Sequence, residues 1–136
     1  MKRSEQAKEY YKSPTCNCAQ GVARAFCNFM GLDDEKSAEI TKQYGAGRCD
    51  GVCGAVMAMR AVVNFLNNQK NMEHPAAITK ETEELLNKMM GEFVAKNGSV
   101  ICRELKGIDS GILLRTCMGC VEDASEILDE YIEKQK

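Results

Sequence analysis

Between Gly54 and Leu66 the chain reads GAVMAMRAVVNFL, and the wider stretch Gly51 to Asn68 is rich in alanine, valine, methionine and leucine. A helix that is apolar nearly all round has no face to give to water, so it belongs in the middle of a bundle. Arg60 and Asn64 interrupt it, and nowhere does a run of about 18 apolar residues occur, so it is not a membrane span. Everything else in the chain has to be arranged around this segment.

The flanking segments have helical spacing punctuated by glycine. Residues 4 to 12 open after Ser4 as N-cap and are closed by Pro14. Segment 16–30 aligns Cys18, Val22, Ala25 and Phe29 and ends at Gly31. A third helix runs from Asp34 to Tyr44 behind Asp33 and stops in the glycine-rich GAGRCDG. Thr79 caps a helix to about Lys96, with Leu85, Met89 and Phe93 aligned and Gly98 as terminator. Ser99 starts a short turn of helix, VICREL. A final helix, starting between Ser110 and Thr116 and ending near Glu133, carries Leu113, Cys117, Cys120, Val121, Ala124, Leu128 and Ile132 on one face. No segment alternates with period two. The expected fold is therefore all-α: a compact bundle of about five to six helices forming one domain over residues 1–136, the size of a single core.

With 18 Lys+Arg against 20 Asp+Glu the formal charge is −2, so no basic surplus points to nucleic acid or an anionic membrane as partner. The N-terminus, MKRSEQAKEYYKSP, lacks the apolar stretch of a signal peptide, and a cytoplasmic location is expected. Eight cysteines stand against one histidine. In a reducing compartment such a count reads as metal ligands or redox groups before structural disulfides.

The cysteines have a shared context. Thr15, Asp50 and Ser99, all helix-capping residue types, each precede a cysteine by three positions, which sets Cys18, Cys53 and Cys102 in the first turn of a helix. Free N–H groups and the helix dipole there favour negative charge, so lowered thiol pKa values are expected at all three. Cys117 and Cys120 form a C-x-x-C, which suits a redox pair or two ligands of one metal but also fits the core face of its helix. Cys16 and Cys49 lie close to Cys18 and Cys53 as candidate auxiliary thiols. Cys27, on the far side of its helix from Cys18, is expected to pack as a small hydrophobe. His74 is expected to be a solvated loop residue, which gives Cys–His catalysis little support. The glycines of GAGRCDGVCG lack the lysine of a phosphate loop. Met57, Met59, Met89 and Met90 read as core filler, and the acidic run from Glu122 to Glu133 as a solvated face.

These pieces resemble the C-GCAxxG-C-C family, small helical redox-active chains mostly from anaerobic bacteria. The matching elements are Asn17-Cys18-Ala19-Gln20, Cys53-Gly54-Ala55 after a glycine-rich loop, Cys102-Arg103-Glu104-Leu105 followed by Gly107 and Asp109, and Cys117 with Val121, Ala124, Ile127 and Leu128 behind it. The resemblance implies that Cys18, Cys53, Cys102 and Cys117 are the functional set. Ala58 stands where the family pattern has glycine, and Cys16, Cys49 and Cys120 are additional to it. Some relatives are selenoproteins, which favours direct redox chemistry over packing.

Three functions fit the residues. In the first, clustered thiolates carry out thiol–disulfide exchange or electron transfer as a thiol-based oxidoreductase, with no cofactor and an unidentified redox partner. In the second, Cys18, Cys53, Cys102 and Cys117 ligate an iron–sulfur cluster or zinc. In the third, the chain is a non-catalytic helical interaction module, a homodimer being one arrangement, whose cysteines only pack.

Overall fold

The computed structural model describes residues 2–68 and 70–135, and it is all-α. Among the described residues seven α-helices follow one another: α1 (Arg3–Lys12), α2 (Cys18–Ala25), α3 (Asp34–Thr41), α4 (Gly54–Leu66), α5 (Lys80–Asn97), α6 (Cys102–Lys106) and α7 (Cys117–Lys134). Two 3-10 turns, Cys27–Met30 and Lys42–Gly47, extend α2 and α3. That is one more than the expected five to six, because the short turn VICREL forms a separate helix, α6. Among the described residues no helix is long and apolar enough to cross a membrane.

The central position expected of α4 is observed. Eleven of its thirteen residues are buried, and α2, α5 and α7 pack around it. Its one amide in the apolar stretch, Asn64, is fully enclosed and donates through Nδ2 to the carbonyls of Pro75 (3.0 Å) and Ala77. The polar group is thereby used to fasten the loop that leads into α5, as a buried amide must be. Met57, Met59 and Met89 are core residues, as their spacing suggests.

Helix starts depart from the sequence reading in instructive ways. α1 begins two residues too early for Ser4 to cap it, with Lys2 at the N-cap and Ser4 buried inside. The cause is tertiary: Arg3 reaches Asp129 of α7 at 3.3 Å and lies 4.6 Å over the Phe29 ring. α2 is capped by Asn17 instead of Thr15, whose hydroxyl is taken by Ser13 in the Pro14 turn. Asn17 accepts from the Gln20 N–H and Gln20 returns the bond to the Asn17 N–H, both at 2.9 Å, a full capping box. Asn17 Nδ2 also donates to the Lys42 carbonyl at 3.0 Å, tying the start of α2 to the turn after α3.

α7 starts at Cys117 because Thr116 accepts the Gly119 N–H at 3.0 Å. Leu113 is therefore not on the core face of a helix. It is 57% exposed in a turn that folds back on α6, where the N–H groups of Leu114 and Arg115 donate to the Leu105 carbonyl. The acidic run of α7 is only partly a solvated face, since Asp123 is buried and receives two hydrogen bonds from Arg115.

Asn17→Ala removes the capping box and the bond to Lys42 together. It should cost about 1–2 kcal/mol, read as a lowered urea midpoint with an unchanged slope.

Candidate functional site

The chain from Gly51 to Cys53 meets the chain from Val100 to Cys102 in a short antiparallel bridge. Cys53 N–H donates to the Val100 carbonyl at 2.7 Å, and Cys102 N–H donates to the Gly51 carbonyl at 2.8 Å. Two cysteines almost fifty residues apart are thus held side by side by backbone bonds alone. Cys53 is the N-cap of α4, while Cys18, Cys102 and Cys117 are the first residues of α2, α6 and α7.

The cysteines do sit at helix starts, but the residues expected to cap them do not. Asp50 is in a left-handed turn conformation (φ 55°) leading into the bridge. The Ser99 hydroxyl accepts the Ile101 N–H at 2.9 Å and bonds Glu104, forming a local turn.

Cys18, Cys53, Cys102, Cys117 and Cys120 line one cavity of about 20 Å³, room for a single water-sized atom. Cys18, Cys53, Cys102 and Cys120 are buried, and Cys117 is half-buried at the edge. Cys53 and Cys120 stand together in its wall, and Cys120 is the largest single influence on the Cys53 thiol. All eight cysteines are free thiols. Cys16, Cys27 and Cys49 do not line the cavity, and Cys27 is half-buried outside the core cluster, not packed in it.

Burial overrides the helix dipole here. Cys18 is pushed up to about 11 by desolvation and by the neighbouring Cys53 sulfur, although the Ala46 N–H hydrogen-bonds it and pulls the other way. Cys53 is pushed up by the neighbouring Cys120 thiol and by burial, and Cys102 by burial against the opposing charge of Lys106. The lowered values expected from the helix starts are reversed, because several sulfurs in one dry space resist carrying charge together.

Cys117 has two polar neighbours: Lys106, which lines the cavity with it, and Tyr11, whose phenol its sulfur influences. Burial, followed by the sulfurs of Cys117, Cys18 and Cys120, pushes the Tyr11 phenol up to about 12, so it remains a proton donor at neutral pH. Burial draws the Lys106 ammonium down, yet the Cys117, Cys102 and Cys18 sulfurs outweigh that and leave it raised. Neither Tyr11 nor Lys106 stands out in the sequence. Lys106 lies one helical turn after Cys102, a spacing that places both on one face; Tyr11 has no local signal at all.

Close approach of backbone shapes the cavity. A side chain on Gly54 would place its Cβ 2.5 Å from Cys18 Sγ and 2.8 Å from the Tyr44 carbonyl oxygen. Ala46 takes a left-handed conformation (φ 57°, ψ 28°), and its N–H is the one bonded to Cys18. Ala58, where the family pattern has glycine, is fully buried with its methyl accommodated. His74 lies outside the site and is not a solvated residue: its Nδ1 is 2.7 Å from Tyr44 Oη, which also accepts the Ala76 N–H at 3.0 Å. Together these hold the turn that follows α3. Among the described residues, no group of three or more histidine, cysteine, aspartate or glutamate side chains is spaced to hold one metal ion.

Compared with known proteins, residues 16–131 match a family model described as "Putative redox-active protein (C_GCAxxG_C_C)". No curated protein and no solved structure matches the chain.

Gly54→Ala should displace the Cys18 sulfur while removing no cysteine, lowering stability by about 1–3 kcal/mol and changing the alkylation rate of Cys18. Ala46→Gly should relieve the left-handed strain and raise stability by about 1 kcal/mol. Both are read from denaturation midpoints. The raised thiols also set a pH dependence. The folded state holds protons that the unfolded chain releases, so this contribution is complete below about pH 9 and is lost as pH rises towards 11. Urea midpoints measured across that window should fall.

Proposed function

The chain belongs to the C_GCAxxG_C_C family, and on that footing we propose that it is a thiol-based redox protein whose five-sulfur cluster exchanges two electrons with disulfide partners. The observation that carries the reading is that Cys53 and Cys120 share the wall of one small cavity with three further sulfurs, Cys18, Cys102 and Cys117. Five thiols from four helices have no packing reason to share one cavity, whereas dithiol chemistry requires their proximity.

Cys117 is the entry thiol, since it is the half-buried member of the cluster. Its sulfur attacks one sulfur of a partner R–S–S–R. The partner's S–S bond breaks, a mixed disulfide with Cys117 forms, and the first R–S⁻ leaves and takes up the proton that Cys117 lost. A second cluster thiol then attacks the Cys117 sulfur, expelling the second R–S⁻ with its own proton. Cys120 is one helical turn away on α7 and leads to Cys53. A further internal exchange places the disulfide between Cys53 and Cys120. The protein loses two electrons and two protons, and R–S–S–R becomes two R–SH. Reduction by an external dithiol reverses the sequence.

The test is a free-thiol count with metal analysis and a visible spectrum on anaerobically purified protein, followed by oxidation and disulfide mapping. Metal-free, colourless protein that reversibly loses two thiols, with a Cys53–Cys120 peptide in the oxidised form, is the expected result. Cys53→Ser should then stop oxidation at a mixed or exchangeable disulfide involving Cys117. Stoichiometric iron with a sulfur-to-iron charge-transfer band, or stoichiometric zinc, would replace this reading with ligation by the same thiols. Thiols that stay unreactive without metal would leave a packing role.

A further inference from the structure

The charge around the thiol cavity is opposite to that of the chain. The molecule carries a formal −2, yet Lys106 and Arg115 line the cavity and no aspartate or glutamate does. The two cations are not equivalent. Arg115 is satisfied by carboxylates, at 3.1 Å from Asp123 and 3.6 Å from Glu122. Arg103, on the same helix as Lys106, is likewise paired with Asp109 at 2.8 Å. Lys106 has no carboxylate partner among the described residues, and it lines the cavity together with Cys117, Cys102 and Cys18, whose sulfurs favour its charged form. Its exposed stem reaches over the cluster from α6.

We infer that Lys106 is the positioning and specificity residue of this site, holding the Cys117 sulfur in place and selecting anionic, low-mass disulfides as its exchange partners. The inference rests on the redox reading above. A space of about 20 Å³ admits one sulfur atom of a partner and no more, so the remainder of the partner stays at the mouth, where the uncompensated ammonium lies. A carboxylate-bearing disulfide is attracted there, and an ammonium-bearing one is repelled. In the reacting step Cys117 sulfur bonds to the entering sulfur, the S–S bond breaks, and the R–S⁻ released is itself an anion that Lys106 stabilises as it departs.

Three probes of the same chemistry and different charge test this: glutathione disulfide (anionic), 2-hydroxyethyl disulfide (neutral) and cystamine (cationic). Mixed-disulfide formation at Cys117 is followed at low ionic strength by mass spectrometry, in the reduced wild-type protein, Lys106→Met and Lys106→Arg. The expected order in wild type is anionic, then neutral, then cationic, with about tenfold or more between the extremes, narrowing in high salt. Lys106→Met should flatten the order and slow the neutral probe as well, and Lys106→Arg should restore the order. A structural role would not depend on probe charge. Equal rates for the three probes in wild type, or an unchanged order in Lys106→Met, overturns the inference while leaving the redox reading intact. No exchange with any probe overturns both. Lys106 is exposed, and matching circular dichroism and thermal midpoints establish that its variants are folded.

Discussion

A helix with no polar face must be walled in on every side, and in this chain the walls of α4 are the other helices. That enclosure also decides where the chemistry sits. Because α4 is central, its first turn is inside the protein, and Cys53 at its N-cap is carried there with it. The helices that enclose it bring their own starts to the same end. The capping box of Asn17 and Gln20 fixes Cys18, the bridge between residues 51–53 and 100–102 fixes Cys102, and the Thr116 cap fixes Cys117 with Cys120 one turn on. Side-chain caps at α2 and α7 and the backbone bridge before α4 and α6 thus position the sulfurs from outside the cluster.

Gathering thiols in a dry space has an electrostatic consequence that works against each helix start. A first-turn position favours a thiolate, but burial and the presence of other sulfurs favour the neutral thiol, and burial wins at Cys18, Cys53 and Cys102. The cluster is therefore divided. Cys18, Cys53 and Cys102 are held as thiols by burial, while the half-buried Cys117 has Lys106 of α6 beside it and influences Tyr11 of α1. A division between a protected store and an accessible entry point is what a stepwise dithiol exchange requires.

Much of this was legible in the residues and some was not. The glycine at 98, the Thr79 start and the all-round apolar α4 were readable, because each depends on local conformation or on a burial pattern within one segment. The positions of Cys18, Cys53 and Cys102 at helix starts were readable too, though with the wrong caps. Thr15 and Ser99 find nearer hydrogen-bond partners, and Asp50 is drawn into the turn before the bridge. Leu113 and Asp123 were misplaced for a shared reason: helical periodicity cannot show where a helix begins or which charge another segment will neutralise. Thr116 ends the periodic face before Leu113, and Arg115 gives Asp123 a buried partner.

The amino-acid sequence by itself determined that the chain is helical, which helix lies at the centre, and that cysteines open several helices, since each of these follows from spacing and propensity along one stretch. Only the tertiary structure decided that five of the eight sulfurs, Cys53 and Cys120 among them, share a cavity. It also decided that Cys16, Cys27 and Cys49 stand apart, and that Lys106 and Tyr11 attend Cys117. The physical reason is range. Capping and periodicity act over a few residues, whereas desolvation and the charge on a thiol depend on every group within several ångströms, and those groups come from five different helices.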